Sequence, residues 1–166
     1  IRAGDLVNID VSASRNGYFA DTGATFRMGK VRPSLDRLCR DGKRAMQTGI
    51  AQVGSGKPLA GIGNAIGRFA AGRGYTLIRN LASHGVGRAL HEYPEEVATW
   101  PNRGDRRRMH KGLVLTVEPF LSGGGIWAVE GDDDWTLYSQ PPAPVVQYEH
   151  TVVATERGAL IVTLPG

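Results

Sequence analysis

Cysteine is nearly missing from this chain: Cys39 is the only one among 166 residues. An internal disulfide is excluded, and a lone cysteine points to a reducing, cytoplasmic setting. No apolar run approaches the roughly 20 residues of a membrane span, and no signal peptide opens the chain. Aromatic residues make up only 7% of the sequence. None of them interleaves the one dense basic stretch, RGDRRRMHKG at 103–112, which supplies much of the net charge of +4. Without aromatics or a nucleic-acid-binding motif, that stretch reads first as a solvated loop before a strand, and second as a nonspecific contact for ribosomal RNA.

What is present is an ordinary globular composition, 41% hydrophobic and 22% charged. A chain of this length can bury about two-thirds of its extended surface, enough for one domain. Ile1 is not a start methionine, and GDLVNIDVSAS at 4–14 enters a strand with almost no lead-in. Residues 1–166 are therefore expected to be one domain of a longer protein, truncated at its N-terminus.

Val7, Ile9 and Val11 alternate with Asn8, Asp10 and Ser12, the period of a half-buried strand. Asn16-Gly17 is a two-residue hairpin signal, because both central positions of a type I′ turn need positive φ. A second strand is predicted from Tyr18 to Phe26. Helical spacing of Leu35, Leu38, Cys39, Ala45, Met46 and Ile50 predicts a helix over 35–53, and Leu59, Ile62, Ile66 and Phe69 one over 58–72. Strands are expected at 75–82, 113–118 and 145–155. The glycine- and proline-rich stretch 121–144 reads as loop. GSGKPLAG at 54–61 has Pro58 where a phosphate loop needs Ser or Thr, and GIGNAIG at 61–67 lies inside a helical pattern, so these are turn and helix-packing glycines.

The hairpin carries a geometric consequence. If Asn16-Gly17 is the turn, Arg15 faces Tyr18, Ser12 faces Asp21 and Asp10 faces Gly23. Asp10 and Asp21 then lie on one face as diagonal neighbours, about 7–8 Å apart. Two bare carboxylates there would raise each other's pKa, so the pair calls for a counter-charge. Glu118 ends the apolar strand LVLTV, and Glu149 sits among β-branched and aromatic residues with Gln147 and Thr151 on its own face. A salt bridge to an arginine would explain either glutamate alone. As a set, four carboxylates match the charge of two divalent cations, and one added histidine makes an oxygen-rich site suited to Mn, Fe or Co rather than a thiolate zinc site. SHGVGRALHEYP at 83–94 supplies two histidines, His84 and His91, with Gly85 and Gly87 between them.

NIDVSASRNGYFADTGATF, SHGVGRALHEYP, TVEPF and QYEHTVVAT resemble, in order, the four signature blocks of the type I methionine aminopeptidases. The resemblance covers essentially the whole chain. It implies the α/β "pita-bread" fold, an antiparallel curved sheet with helices on its outer face. It also implies removal of the initiator methionine from nascent polypeptides by dinuclear-metal-activated hydroxide attack on the first peptide bond. By the same resemblance the ligands of two divalent ions (Co, Mn, Fe or Zn) are Asp10, Asp21, His84, Glu118 and Glu149, with Asp21 and Glu149 bridging. His91 would face the scissile peptide, Glu118 would shuttle a proton, the glycines would let the chain turn between the imidazoles, and Leu90, Phe120 and Trp135 would help line the methionine pocket. The implied partners are N-terminal Met peptides on nascent chains, with ribosome association through the basic loop and a monomeric, cytoplasmic enzyme.

Three departures stand out. Ala82 occupies a position where some relatives carry cysteine, the basic loop is long, and the family's upstream segment, with another wall of the pocket and another histidine, is absent. Two rival readings share the fold. One is an Xaa-Pro aminopeptidase or prolidase, disfavoured by Phe120 after Glu118-Pro119 and by the Glu149-His150 pair. The other is a non-catalytic, metal-free binding module, disfavoured by the intact ligand set.

Overall fold

A computed structural model describes residues 1–164. Strands β1 (Leu6–Arg15) and β2 (Tyr18–Arg27) form an antiparallel hairpin. Its turn residues Asn16 and Gly17 have φ of 54° and 78°, which is what a type I′ turn demands. The pairing follows: Arg15 faces Tyr18, Ser12 faces Asp21 and Asp10 faces Gly23. The expected burial of the apolar side does not hold. Ile9 and Val11 are 53% and 50% exposed, because β1 is an edge strand paired with β2 alone and its outer face stays open among the described residues.

Helix α1 (Pro33–Ile50) begins on a proline, whose missing N–H costs nothing in the first turn. Helix α2 (Ala60–Gly72) starts two residues later than the periodicity predicts, since Pro58 instead bridges to Arg108. The α2 glycines are packing residues: a Cβ on Gly63 would lie 2.2 Å from the Trp100 carbonyl oxygen, and one on Gly67 2.5 Å from the Pro101 ring.

Ten further strands follow: β3 (Thr76–Leu77), β4 (Ser83–Gly85), β5 (Glu92–Val97), β6 (Val114–Val117), β7 (Phe120–Ser122), β8 (Trp127–Glu130), β9 (Leu137–Gln140), β10 (Val145–Gln147), β11 (His150–Thr155) and β12 (Gly158–Ile161). They pair antiparallel in the orders β12-β11-β6-β4-β5, β10-β7-β3 and β8-β9. Three strand expectations need correction. The 75–82 segment keeps only β3. The 145–155 run breaks at Tyr148 and Glu149. The supposed loop 121–144 contains the β8–β9 hairpin, whose turn is held by Asp133 accepting from the backbone N–H groups of Trp135 and Thr136, an Asx-type closure.

The core joins Leu38 and Met46 of α1, Ile62 and Ile66 of α2, and Leu115, Val117, Leu121 and Val152 of the sheets. Each such side chain contributes about 1.5–3 kcal/mol on burial. Because α1 packs on β6, β7 and β10, the strands that end at Glu118 and Glu149 have rigid backing. No helix among the described residues is long and apolar enough to cross a membrane.

Candidate metal centre

Asp10 comes from β1, Asp21 from β2, His84 from β4, Glu118 from the β6–β7 junction and Glu149 from the β10–β11 junction. The hairpin is brought onto the rest by side-chain to backbone bonds. Thr151 Oγ1 accepts from Asp21 N–H at 2.9 Å and donates to its carbonyl at 2.7 Å, and Thr22 Oγ1 donates to the Glu149 carbonyl at 2.9 Å. The β11–β6 pairing places His150 opposite Val117, next to Glu118. As a result, Asp21, His84 and Glu149 each offer a ligand atom within 4.8 Å of the others. His84 Nε2 lies 3.5 Å from Glu118 Oε1 and 3.7 Å from Asp21 Oδ2. A cavity of about 400 Å³ opens over Asp10, Asp21, His84 and Glu118.

Uncharged donors hold the four carboxylates. Ser12 Oγ donates to Asp21 Oδ1 (3.0 Å), Thr116 Oγ1 to Glu118 Oε1 (2.6 Å), and Gln147 Nε2 to both Asp10 Oδ2 (3.1 Å) and Glu149 Oε2 (3.0 Å). None of the ion pairs that Lys or Arg form among the described residues involves these acids, so the salt-bridge explanation of Glu118 and Glu149 fails. Glu149 is 1% exposed and its Oε1 has no hydrogen-bond partner, a costly arrangement unless something else meets that oxygen. His84 Nδ1 lies 3.0 Å from the Gly85 carbonyl oxygen. An acceptor there places the proton on Nδ1 and leaves the Nε2 lone pair facing carboxylates. An orphaned carboxylate oxygen and an imidazole lone pair aimed at acids both fit a bound divalent cation.

The profile of "Metallopeptidase family M24" matches residues 1–156. The chain belongs to metallopeptidase family M24. It is 40% identical over 164 residues to a methionine aminopeptidase of Staphylococcus epidermidis (strain ATCC 12228 / FDA PCI 1200), covering 98% of this chain and 65% of that protein. The crystal structure of methionine aminopeptidase from Rickettsia prowazekii superposes with a TM-score of 0.93 at 32% identity, over 99% of this chain and 66% of that one. The prolidase from Pyrococcus horikoshii OT3 superposes with a TM-score of 0.76 at 24% identity, over 100% of this chain and 42% of that one, and shows the fold alone. The chain thus spans about two-thirds of the methionine aminopeptidases it matches, and its architecture is the α/β pita-bread fold. Membership in M24 implies divalent-metal use, and the buried Asp21–His84–Glu149 group could hold such an ion.

Burial and like charge act together on the acids of this site. Burial first, and then the charges of Glu118, Asp21 and Asp10, push the Glu149 pKa up to about 10. Burial, with Asp10 and Asp21 adding to it and the Thr116 bond opposing, pushes Glu118 up to about 8. Asp10, at the exposed rim, is raised by partial burial of its carboxyl and by Asp21. Burial lowers the His84 pKa, which keeps the imidazole neutral and able to ligate. The consequence for stability has a definite sign. The ordinary glutamate value is 4.5, so between there and about 8 the folded metal-free protein holds protons that the unfolded chain has released, and stability falls as pH rises through that window. We expect the metal-free Tm to fall steadily as pH rises from 5 to 8. Adding Mn²⁺ should flatten or reverse the slope, because the ions compete with protons for the same oxygens. Melts in chelator and in Mn²⁺ across that pH range test this; parallel curves would refute it.

His91 sits exposed on the loop after β4, its ring centroid 4.0 Å from that of His84 with a 53° tilt. The loop is closed by Glu92 Oε2, which accepts from the N–H groups of Arg88 (2.9 Å) and Ala89 (3.2 Å), and the Arg88 guanidinium lies 4.6 Å from the Tyr18 ring centroid. The glycines serve close approach rather than a left-handed turn. Neither Gly85 nor Gly87 has positive φ, but a Cβ on Gly85 would come 2.3 Å from the Tyr93 carbonyl oxygen and one on Gly87 2.3 Å from Glu92 Oε1.

Leu90, Phe120 and Ala82 line the cavity beside His91. Trp135 is not brought there: it is 87% exposed in the β8–β9 turn, and the Asp133 bonds that close this turn leave the indole outside. Gln147, Ser12 and Thr116 are the outer partners that sequence reasoning did not assign. Each was legible in principle, since Thr116 and Gln147 lie two residues before Glu118 and Glu149 and Ser12 faces Asp21 across the hairpin.

Proposed function

We propose that this chain carries the metal centre and chemistry of a methionine aminopeptidase, cleaving the first peptide bond of N-terminal Met peptides and nascent chains. The observation that carries this reading is the convergence of four carboxylates and one neutral imidazole, with Glu149 Oε1 unpartnered, beneath an open cavity edged by His91. Asp10, Asp21, His84, Glu118 and Glu149 would hold two divalent cations drawn from Co, Mn, Fe or Zn. Bound there, such ions supply Lewis-acid polarisation of the scissile carbonyl and a water ionised at neutral pH.

The chain's own groups do the rest. Glu118, whose Oε1 is engaged by Thr116, carries a proton on Oε2 to the leaving amine. His91, on a loop fixed by Glu92, donates to the peptide oxygen as negative charge develops on it. Leu90 and Phe120 give the first side chain an apolar wall.

The setting we infer is cytoplasmic and monomeric, with nonspecific contact to ribosomal RNA. In the basic stretch Arg107 is engaged by Asp105, Arg108 by the Gly56 carbonyl and Lys111 by Glu156, which leaves Arg103 and Arg106 as exposed charges for that contact.

The deciding assay compares methionine release from a Met-Ala-Ser peptide with cleavage of an Xaa-Pro peptide, with Mn²⁺ or Co²⁺ and with chelator. Metal-dependent release from Met-Ala-Ser is expected. Preference for the Xaa-Pro peptide would move the chain to the prolidase branch. No metal uptake and no thermal stabilisation would leave a binding module.

A further inference from the structure

Gln147 makes a pair of bonds that no other outer residue makes among the described residues. Its Nε2 donates to Asp10 Oδ2 at 3.1 Å and to Glu149 Oε2 at 3.0 Å, so one NH₂ group commits both hydrogens to two carboxylates from different strands. Its Oε1 accepts from Asn8 Nδ2 at 2.8 Å, which fixes the end of the amide that faces the acids. Its backbone N–H and carbonyl both bond Thr25 Oγ1, at 3.1 and 2.9 Å, and the residue is 2% exposed. The amide lies over Gly23, opposite Asp10: a Cβ at Gly23 would come 2.3 Å from Gln147 Oε1. Only glycine leaves room for this side chain there.

The ligand atoms of Asp21, His84 and Glu149 already stand together, whereas Asp10 and Glu118 lie outside that group. Asp10 belongs to an edge strand with an open outer face, and Gln147 is its uncharged hydrogen-bond donor. We propose, resting on the two-cation reading above, that Gln147 is the positioning residue that joins Asp10 to the three-ligand group and so decides whether a second divalent cation is held. An amide suits this task. It donates to both acids without the positive charge of Lys or Arg, which would repel a cation, and without the acceptor oxygens of an ionised Glu. Its bonds use Oδ2 of Asp10 and Oε2 of Glu149, and leave Oε1 of Glu149 free of any protein donor.

The test is calorimetric titration of Mn²⁺ alone into metal-stripped wild type, Gln147→Met and Asn8→Ala, alongside melts of the metal-free proteins. Methionine matches glutamine in length and lacks the donor. Wild type is expected to take up two ions. Gln147→Met should keep the first ion at wild-type affinity and weaken the second about 10–100-fold, the scale typical of outer partners. Asn8→Ala frees the amide to rotate but touches no carboxylate, so it should weaken the second ion less than Gln147→Met does. A single ion in wild type, equal weakening of both ions, or no weakening overturns the assignment. If Gln147→Met does not fold, Asn8→Ala decides by the same selective loss or its absence. A wild type that holds two ions yet releases no methionine would sink the aminopeptidase reading and leave the role of Gln147 intact.

Discussion

Glu149→Ala is expected to abolish two-ion binding and to lower peptide hydrolysis by on the order of 10³-fold or more, beyond the roughly 10–100-fold typical of outer-shell losses. Glu149 is 1% exposed, takes one donor from Gln147 on Oε2, and leaves Oε1 with none. It also shares the three-residue group with Asp21 and His84. Removing it takes a carboxylate from the middle of the site, at a position whose backbone is tied to Gly23 and Thr22. A cavity-forming substitution confounds stability, so Glu149→Gln is the cleaner companion. The amide keeps the volume and removes a group that burial and like charge hold far above its ordinary pKa. Metal-free Glu149→Gln should therefore melt at or above the wild-type temperature at pH 8, while the stabilisation by Mn²⁺, about 2.7 kcal/mol at a hundredfold excess over Kd, disappears. Metal analysis and paired melts check this. Retention of two ions per chain in either variant would mean that the ligand set is wrongly drawn.

The sequence made the hairpin legible because its information is local. Asn16-Gly17 dictates the turn, the turn dictates the register, and the register puts Asp10 and Asp21 on one face. Nothing local brings Glu118 and Glu149 to that face. Their meeting depends on β6 pairing with β11, across a separation no periodicity specifies, and only the ordered resemblance of the four blocks anticipated it. The β8–β9 hairpin escaped because its four-residue strands are too short for alternation to stand out between glycines and prolines, and because a side chain, Asp133, closes its turn. Alternation in β1 specifies a strand but not its half-burial, since periodicity reports that a face is apolar and not what covers it. The outer donors went unassigned for another reason. Ser12, Thr116 and Gln147 are common polar residues whose significance lies in what they touch.

His91→Ala should separate binding from turnover. His91 is exposed; its ring centroid lies 4.0 Å from that of His84, and the four carboxylates take their donors from Ser12, Thr116 and Gln147 instead. Its loss therefore leaves the ligand set whole, and calorimetric Mn²⁺ stoichiometry and affinity should match wild type. The effect expected on kcat is a fall of about 10²–10³-fold, about 2.7–4 kcal/mol, the cost of removing one donor aimed at a developing oxyanion. Because the bond strengthens as charge builds, KM should move little by comparison. His91→Gln restores a donor in a different geometry and should recover part of the rate, whereas loss of mere packing against His84 would not be rescued by an amide. A variant that turns over normally would reduce His91 to a neighbour of the metal ligand, and one that loses its ions would make it a support for His84; only retained metal with lost kcat is compatible with a group that acts on the scissile peptide.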